Sequence, residues 1–568
     1  MGTCILSSVK YTSIRDALAK TFSDALGMTW QAEGEIKYGK IMQRVPVFQI
    51  LVMALVFLTA AGAQAVGPWY VATNGADSND GTSWAVPYLT ISNALTNASS
   101  GGDTIWVSNG VYTLTATVSN PAAKKFNIRA WSTNPADTVL LGHGSNPPPD
   151  NLNFRGVWMS GAGSLLQGFT VTNFYHTNDY TGAGIYCSAG LVSNCIIAGN
   201  IMGYTGSSGS GGGVYLSDNA VVENCTIVGN VICPAGSSAG GGGVYIKGDD
   251  ASGGRIRNCR IVGNWMSRDV NGYGGGVYMS GLSSIIQDSI IASNDSYWVG
   301  GIHMYGGIVT NCQVFANNSY FVGGIYSPFY EKDFSIMQCV VSNNYGRNSA
   351  GGVYLNYVTN ALISGCAIVS NRTMWGTPGG LCVLKNARNV LIRNCVVANN
   401  LGENSQPGTT YGFGGAGMQV LATNALIENC TIVSNTLIKA GYYGAGLYAT
   451  NGVAVVNCII YHNSAVDASS NFYAAADCTF SNSCAAPLPG TVAWTGTGTA
   501  NTDANPQFVA KDTGNFRLTA RSPCVNTGTN QNWMMNAVDL EGRKRMRYGR
   551  VDMGVYERIY EGSIYTVK

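Results

Sequence analysis

The residues best suited to chemistry in this sequence are one histidine and one pair of aspartates. His303 interrupts a row of recurring tyrosines, and Asp295 stands eight residues before it. A histidine acts as a general base when a cleft and a perturbing partner accompany it. The sequence shows neither, and the exchange of one ring for another in a stacked row explains His303 better. Asp249 and Asp250 are the other weak catalytic candidates; they could bind a cation, although a polar turn is the commoner role of adjacent aspartates.

Aromatic side chains form a second set of candidates, for binding rather than catalysis. Tyrosine recurs in one outward slot of a repeat, and further rings follow in the turns of neighbouring repeats. Rings with an apolar face and a polar handle suit sugar binding, but stacked rings also stabilise neighbouring strands. The binding candidates are Tyr215, Tyr245, Tyr278, Tyr297, Trp298, Tyr320, Phe321, Tyr326, Tyr354 and Trp375.

Charged residues are scarce. They make up 11% of the 568 residues, and the formal net charge is +2, whereas roughly 25% is ordinary. This balance gives no electrostatic basis for binding nucleic acid or an anionic membrane. The longest turn insertions are mostly Gly and Ser and carry few charges, which argues against a polyanionic sugar as ligand and against hydrolysis by paired carboxylates.

A repeat organises the chain. The pattern Cys-x4-Asn occurs ten times when one serine is accepted in the cysteine slot, and the anchors are 23 to 35 residues apart. An eleventh, weaker copy has Gly168 in the anchor slot. The anchors are Cys195, Cys225, Cys259, Ser289, Cys312, Cys339, Cys366, Cys395, Cys430 and Cys458. Fixed anchors with variable spacing indicate one structural unit per repeat, with insertions in the turns.

The side-chain periods identify that unit. The residue two positions after each anchor is Ile or Val, and another apolar residue lies three positions before it. Both look buried, so a tight turn must separate two strands. The asparagine that usually precedes the anchor tolerates the left-handed conformation of such a turn. With a Gly-apolar-Tyr strand added, each repeat has three short strands, which predicts an all-β, single-stranded parallel β-helix of about eleven coils. Parallel crossovers are overwhelmingly right-handed.

The 16 cysteines follow from the same pattern. Nine occupy the inward anchor slot, where identical side chains pointing the same way align poorly for bridging. We expect them to be free thiols that act as small buried apolar groups. Cys478 and Cys484, near the end of the repeats, are better candidates for a disulfide, and the sequence leaves that pairing open.

The regions before and after the repeats have their own signatures. Residues 42–65 combine a basic start, an apolar run and an Ala-Gln-Ala ending, the pattern of a secretory signal peptide. Residues 1–41 resemble no targeting segment and are interpreted as a spurious or disordered extension. We expect an N-terminal cap with the first coils at 66–155, repeats at 156–485 and a closing segment at 486–568.

Three stretches resemble a known group of proteins. Trp69 to Leu114, above all "GDTIWVSNGVYTL", is similar to the N-terminal cap of secreted right-handed β-helix proteins of the pectate-lyase-like superfamily. The repeats also resemble those of chlamydial polymorphic outer-membrane proteins. The closing stretches 505–508, 516–528 and 539–557 resemble the end of bacterial secreted β-helix proteins of uncertain function. Lyases, hydrolases and binding proteins share this scaffold, so the resemblance implies a fold more firmly than an activity.

Pectate lyases use calcium held by clustered carboxylates, and no outward stack of Asp or Glu is evident here. Calcium is therefore expected only if the protein is a lyase, and no other cofactor or metal is expected. The Gly142-His143-Gly144 run resembles a polygalacturonase motif, but it precedes the repeats and is discounted.

Two classes of function remain open. The preferred one is a secreted or cell-surface β-helix that binds glycans or partners without a catalytic site. The alternative is a polysaccharide lyase or glycoside hydrolase whose site lies in the turn insertions. The expected partner is an extracellular polysaccharide or envelope component. The expected location is outside the cell or on the outer surface of a bacterial envelope, with no membrane span after signal cleavage.

Overall fold

The computed structural model describes residues 68–98, 101–119, 124–144, 153–177, 181–204, 209–234, 239–249, 251–267, 272–328, 333–376, 378–403, 414–466, 471–486, 500–546 and 549–559. The predicted signal peptide at 42–65 and the extension at 1–41 lie outside these residues. Each complete coil of the chain contributes one strand to each of four parallel sheets. We number the sheets 1 to 4 in the order in which a coil visits them.

Sheets 1 and 2 carry the first half of each coil. The 13 strands of sheet 1 are Val118–Ser119, Val157–Met159, Ile185–Ser188, Val214–Ser217, Val244–Ile246, Val277–Met279, Ile302–Met304, Ile325–Ser327, Val353–Leu355, Leu381–Val383, Met418–Val420, Leu447–Ala449 and Phe472–Ala474. The 15 strands of sheet 2 are Trp69–Val71, Gly101–Val107, Lys125–Ala130, Leu165–Gln167, Leu191–Ser193, Val221–Glu223, Arg255–Arg257, Ile285–Gln287, Gly307–Thr310, Phe334–Met337, Ala361–Ser364, Leu391–Arg393, Leu426–Glu428, Ala454–Val456 and Thr479–Ser481.

Sheets 3 and 4 carry the second half of each coil. The 14 strands of sheet 3 are Gly110–Thr113, Thr138–Leu141, Thr170–Thr172, Ile196–Ala198, Thr226–Val228, Arg260–Val262, Ile290–Ala292, Gln313–Phe315, Val340–Ser342, Ala367–Val369, Val396–Ala398, Thr431–Val433, Ile459–Tyr461 and Cys484–Ala485. The 11 strands of sheet 4 are Tyr175–His176, Ile201–Tyr204, Val231–Pro234, Trp265–Met266, Asp295–Ser296, Asn318–Ser319, Tyr345–Gly346, Arg372–Thr373, Leu401–Gly402, Thr436–Leu437 and Ser464–Ala465.

Equal positions of successive repeats pair with one another. Val214 faces Val244, which in turn faces Val277, and Ile197 faces Ile227. The predicted parallel β-helix with its repeats in register is confirmed. The prediction of three strands per repeat is wrong, because sheet 4 adds a fourth. Most sheet-4 strands are two residues long, such as Asp295–Ser296, and two residues are too few to show an alternating pattern.

One left-handed residue turns the chain between sheets 2 and 3. Asn224 and Asn457 each have φ of 55°, and this turn accounts for the parity change around the anchor, as the sequence predicted. We call these residues the turn row: Asn194, Asn224, Asn258, Asp288, Asn311, Gln338, Gly365, Asn394, Asn429, Asn457 and Asn482.

Inside the coils, the asparagine that closes each repeat forms an inner asparagine ladder. The Asn230 Nδ2 atom donates to the Asn264 Oδ1 atom (3.0 Å) and to the Ile197 carbonyl oxygen (2.9 Å). Asn230 and Asn264 are both fully buried. Buried amides are tolerated when every polar group finds a partner, and the ladder meets this condition along the interior. Its members are Asn200, Asn230, Asn264, Asn294, Asn317, Asn344, Asn371, Asn400, Asn435 and Asn463.

Three further elements accompany the four main sheets. Near the N-terminus the helix Ile91–Asn97 buries Ile91, Ala94 and Leu95, with Thr90 as its N-cap. A 3-10 helix, Pro135–Asp137, precedes the sheet-3 strand Thr138–Leu141. A short parallel pair, Ala239–Gly240 and Gly272–Tyr273, lies outside the four main sheets.

We call the described residues 500–546 and 549–559 the closing segment. It contains an antiparallel pair, Phe508–Ala510 and Asn515–Leu518, and the 3-10 helices Lys511–Thr513 and Asn532–Met535. Its apolar side chains pack on the outer face of sheet 3: Phe516 and Val555 lie against Val396. The fully buried Arg545 pairs with Glu557 at 2.9 Å and donates to the Asn394 side chain.

The described cysteines are free thiols. In the anchor slot the Cys225 Sγ atom contacts the Glu223 carbonyl oxygen at 3.1 Å. Cys478 and Cys484 are not bridged to each other. The buried Cys484 thiol instead hydrogen-bonds with Cys524 of the closing segment, and this contact, with burial, raises its pKa.

None of the helices within the described ranges is both long enough and apolar enough to cross a bilayer.

Candidate functional site

The tyrosine row follows the middle position of the sheet-1 strands. It comprises Tyr186, Tyr215, Tyr245, Tyr278, His303, Tyr326 and Tyr354. From Tyr186 to His303 the rings stack nearly face to face; Tyr215 and Tyr245 lie 5.1 Å apart at 1°, and Tyr245 and Tyr278 lie 4.7 Å apart at 9°. The Tyr326 ring is turned by 71° relative to His303. The strands are in register, so the coil spacing sets the ring spacing.

Three members of the row, Tyr215, His303 and Tyr326, are buried. Only 7% of Tyr215 and 5% of Tyr326 is accessible to solvent, and burial raises the pKa of both phenols. The expectation of an exposed strip is therefore wrong for these two residues. Gly240 lies close against the row, because a Cβ at this position would be 2.9 Å from the Tyr278 ring. Phe321 packs on Tyr326, with ring centroids 5.7 Å apart. Tyr245, Tyr278 and Tyr354 are half-buried and take part in the same packing.

His303 occupies the interior of this row. It is fully buried and stacks on Tyr278 at 4.8 Å, with Tyr273 and Tyr305 4.9 and 5.0 Å away. Burial lowers its pKa to about 3, and neither ring nitrogen has a hydrogen-bond partner within the described ranges. A side chain enclosed by rings does not reach a substrate, so the structure supports the exchange of one ring for another rather than a general base.

Asp249 lies in an exposed turn, and Asp250 is outside the described residues. The Asp249 carboxylate accepts the amide hydrogens of Ala251 and Ser252 at 2.9 and 2.6 Å. The bond from Ser252 is the main cause of its lowered pKa. The carboxylate therefore closes its own turn, as the polar-turn interpretation expects. His143, in the discounted Gly-His-Gly run, contacts the Leu114 carbonyl oxygen at 3.1 Å.

The structure brings the turn aromatics together at the ends of the sheet-4 strands. Asp295, Asn318, Tyr345 and Arg372 pair in register, so the residues two positions later also stack. We call the resulting surface the aromatic cleft. It is lined by Tyr297, Tyr320, Tyr345, Arg347 and Met374, with Trp375 packed against Arg347 and Tyr320, and it encloses about 460 Å³.

Rings and one cation line the aromatic cleft. Tyr297 and Tyr320 stack at 4.8 Å and 9°. The guanidinium carbon of Arg347 lies 4.2 Å from the centroid of the Trp375 ring and 5.9 Å from that of Tyr320. The Tyr345 hydroxyl donates to the Met374 sulfur at 3.2 Å. The rings are half-buried, so each keeps part of its surface open to solvent.

Trp298 and Phe321 were grouped with the other turn aromatics in the sequence, but they do not line the cleft. They pack with Val299, Val322 and Tyr326 in a separate apolar cluster. The ring centroids of Trp298 and Phe321 are 4.8 Å apart. Tyr297 and Tyr320 thus line the cleft, while the residues that follow them pack in this separate cluster.

A second cleft was not foreseen from the sequence. It encloses about 1040 Å³ where the closing segment meets the turn row, and its lining includes Asn311, Gln338, Val340, Trp533 and Tyr556. Arg393 lies over the Trp533 ring at 4.9 Å and 3.8 Å from the Glu428 carboxylate. Burial raises the Glu428 pKa. The row of turn asparagines was visible in the sequence, but the segment that meets it is remote in the chain.

A calcium site of the lyase type needs several oxygen ligands that converge. Within the described ranges there is no group of three or more His, Cys, Asp or Glu side chains arranged to hold a metal ion. The residues present therefore do not fit such a site.

A comparison with protein families identifies the architecture. The model of a right-handed β-helix region matches residues 207–347 and 322–485. The chain is a right-handed parallel β-helix. The matched stretches contain most of the tyrosine row and the whole aromatic cleft, so both surfaces of this β-helix belong to its repeats.

Several solved structures resemble this β-helix at low identity. Pectate lyase Pel9A is 16% identical, with 88% of this chain and 98% of that chain covered and a TM-score of 0.31. The catalytic unit of a thermostable GH87 α-1,3-glucanase from Streptomyces thermodiastaticus strain HF3-3 is 15% identical, with coverage of 69% and 65% and a TM-score of 0.34. PfbA, a surface adhesin of Streptococcus pneumoniae, is 11% identical, with coverage of 69% and 87% and a TM-score of 0.26. At these scores none of them bears on activity.

A search of curated protein sequences gave no match.

Proposed function

We propose that this β-helix is an extracellular carbohydrate-binding protein that holds a polysaccharide in the aromatic cleft. The observation that carries the proposal is the open stack of Tyr297 and Tyr320 beside Trp375. Aromatic rings bind the apolar faces of sugars, and phenol hydroxyls remain available for the sugar hydroxyls. The tyrosine row offers the same chemistry, but Tyr215, His303 and Tyr326 are buried, so we do not assign it a ligand.

Arg347 supplies the polar contacts of the proposed site. Trp375 and Tyr320 hold its guanidinium by cation–π contact, and it has no carboxylate partner among the described residues. Its N–H groups are therefore available to sugar oxygens, while the contact with the rings limits the side-chain entropy lost on binding. Neighbouring Arg372 differs, because it is paired with Glu403.

The extracellular location rests on the signal-peptide pattern of residues 42–65. An extracellular or envelope polysaccharide is then the ligand class that the protein meets. The proposal uses no cofactor and no metal ion.

Affinity electrophoresis tests the proposal. The mature protein is run in native gels that contain xylan, homogalacturonan, alginate or an α-glucan, one at a time. We expect at least one polysaccharide to retard the protein, and Tyr320→Ala and Trp375→Ala to remove the retardation. Tyr357→Ala and Trp131→Ala are matched controls, since both rings are exposed elsewhere, and they should behave as the wild type.

Two results would contradict the proposal. One is the absence of retardation by every polysaccharide; the other is retardation that survives both cleft substitutions. A rise in ultraviolet absorbance from unsaturated products, with homogalacturonan or alginate and calcium, would show that the protein is a lyase instead.

A further inference from the structure

The turn row is covered at one end of the β-helix and uncovered in the middle. Asn394, Asn429 and Asn457 are 8%, 0% and 0% exposed. In the middle, five members of the row are exposed to solvent: Asn224, Asn258, Asp288, Asn311 and Gln338. The backbone turn is the same in both parts, so only the covering differs.

Polypeptide covers the C-terminal part, and the side-chain amides bind its main chain. The Asn394 Nδ2 atom donates to the Val538 carbonyl oxygen at 3.1 Å, and the Asn482 Nδ2 atom donates to that of Thr527 at 3.1 Å. Asn457 makes two such bonds with one residue. Its Nδ2 atom donates to the Thr529 carbonyl oxygen at 2.9 Å, and its Oδ1 atom accepts the Thr529 amide hydrogen at 2.7 Å.

The same kind of contact occurs at the other end of the row. The Asn194 Nδ2 atom donates to the Thr133 carbonyl oxygen at 2.8 Å. Two separate chain segments, nearly 400 residues apart, are thus held by one device. An amide that pairs with a main-chain carbonyl recognises extended backbone irrespective of its side chains.

Among the described residues, the hydrogen bonds shown for the side chains of the exposed members join them to neighbours in the same row or to the adjoining strand. The Asn258 amide donates to the Asn224 side-chain oxygen at 2.6 Å, and the Asn311 amide donates to the Asp288 carboxylate at 2.6 Å. Each of these side chains can bond with an incoming segment and keep its neighbour in the row. Asn457 does both, because its Nδ2 atom donates to the Thr529 carbonyl oxygen and also to the Asn429 side-chain oxygen at 3.2 Å.

The adjoining outer face of sheet 3 shows the same contrast for apolar side chains. At the covered end Val396 and Ile459 are 4% and 1% exposed, because the closing segment packs on them. In the middle, Val340 occupies the equivalent strand position and is 41% exposed. Phe315 and Ile290 on the same face are half-buried.

The second cleft lies where these two parts meet. Gln338 and Val340 form its coil side, and Trp533, Val538 and Tyr556 form its other side. A segment that lay along the free turn row would therefore continue the surface of the closing segment and contact its edge.

We propose that the uncovered part of this flank binds an extended polypeptide segment of a partner protein. Main-chain carbonyls of the segment accept hydrogen bonds from Asn258, Asn311 and Gln338. Its apolar side chains cover Val340 and its neighbours. Polypeptide is the favoured occupant because this surface continues the one that the closing segment covers, where side-chain amides of the turn row donate to main-chain carbonyls. This inference is independent of the aromatic cleft.

A labelled peptide tests the inference. The probe is a fluorescent peptide with the sequence of residues 526–540, NTGTNQNWMMNAVDL, which contains three of the main-chain oxygens that the turn row binds. Fluorescence anisotropy with the intact protein should show saturable binding, and a scrambled peptide should bind at least about tenfold more weakly.

Two substitutions locate the binding. Val340→Lys places a charge on the apolar face, and Asn311→Gly removes one amide while it keeps the left-handed turn. Each should weaken peptide binding by about tenfold with little change in the melting temperature. Val466→Lys is the matched control, because Val466 is 60% exposed on another part of the coil, and it should bind as the wild type does.

The remaining outcomes overturn the inference. Peptide binding that neither substitution weakens would mean that the probe displaces the closing segment instead. Loss of polysaccharide retardation in Val340→Lys would make the flank a glycan site. Concentration-dependent dimerisation that Val340→Lys abolishes, measured by sedimentation, would make it a contact between two copies of this chain.

Discussion

The tyrosine row and the aromatic cleft both consist of rings at equal positions of successive coils. In the row, Tyr245 and Tyr278 stack 4.7 Å apart; in the cleft, Tyr297 and Tyr320 stack 4.8 Å apart. The spacing agrees because the distance between neighbouring strands sets both. They differ in burial: Tyr215, His303 and Tyr326 of the row are buried, whereas the rings of the cleft are all half-buried.

This difference shows that register alone does not make a binding site. A β-helix stacks whatever residue recurs, and stacked rings stabilise neighbouring coils in either place. The connecting segment decides whether a stack is part of the packing or a surface for ligands. Glycine at position 240 allows close approach to the row, since any side chain would meet the Tyr278 ring.

The largest expected effect is in the tyrosine row. Tyr278→Ala should lower the free energy of unfolding by about 3 kcal/mol, because it leaves a cavity between Tyr245 and His303. Urea-induced unfolding measures the loss. Polysaccharide retardation should be unchanged at a temperature where the variant is folded; a loss of retardation would show that the row also contributes to binding.

The next effect is a dependence of stability on pH. Burial lowers the pKa of His303 to about 3, whereas an unfolded histidine has a pKa of about 6.5. The unfolded chain therefore binds more protons between these values, and stability is full above pH 6.5 and falls as the pH falls. At pH 5 the loss from this residue is about 2 kcal/mol.

His303→Phe should remove that part of the pH dependence and keep the stack. Unfolding midpoints at pH 5 and pH 8 measure it. His143→Phe, which changes an exposed histidine, should leave the wild-type difference between the two pH values. If His303→Phe also leaves it, the buried imidazole is not the cause.

In the open stack the expected effect is on binding. Tyr320→Ala should weaken polysaccharide binding by about tenfold, or about 1.4 kcal/mol, and should change the unfolding midpoint less than Tyr278→Ala does. Isothermal titration with the polysaccharide that retards the protein best would measure it. A large fall in stability with unchanged binding would reverse the distinction between the two stacks.

The smallest expected effect concerns the cation. Arg347→Lys keeps the charge but loses the planar contact with Trp375, and we expect binding about threefold weaker. Arg388→Lys, on another turn, is the matched control. Equal affinity in the two variants would mean that the guanidinium plane does not contribute.

The sequence was sufficient to predict the coils because each repeat carries the same anchors at inward positions. The pairing of Ile197 with Ile227 follows directly from the Cys-x4-Asn spacing. The fourth sheet was missed because its strands have no internal period. The burial of Tyr215 and Tyr326 was missed because the segments that contact the row, at Gly240 and Phe321, lie between the main strands, where no repeat pattern shows their path.

The sites were harder to predict than the coils. Tyr297, Tyr320 and Trp375 were found because they recur near one another in the turns. Arg347 was missed, since one arginine in a turn carries no signal until the register aligns it with Tyr320. The second cleft depends on contacts such as that between Asn394 and Val538, which no local pattern reveals.

The side-chain amides of the inner asparagine ladder all have the same orientation. Each Nδ2 atom donates one hydrogen to the asparagine of the next coil and the other to a main-chain carbonyl of the preceding coil, while each Oδ1 atom accepts from the preceding asparagine. The series begins where the Asn200 Oδ1 atom accepts the Phe174 amide hydrogen. It ends where Asn471, only eight residues after Asn463, accepts the last donor. The chain thus supplies its own terminus for an ordered array of amides that further coils could otherwise extend.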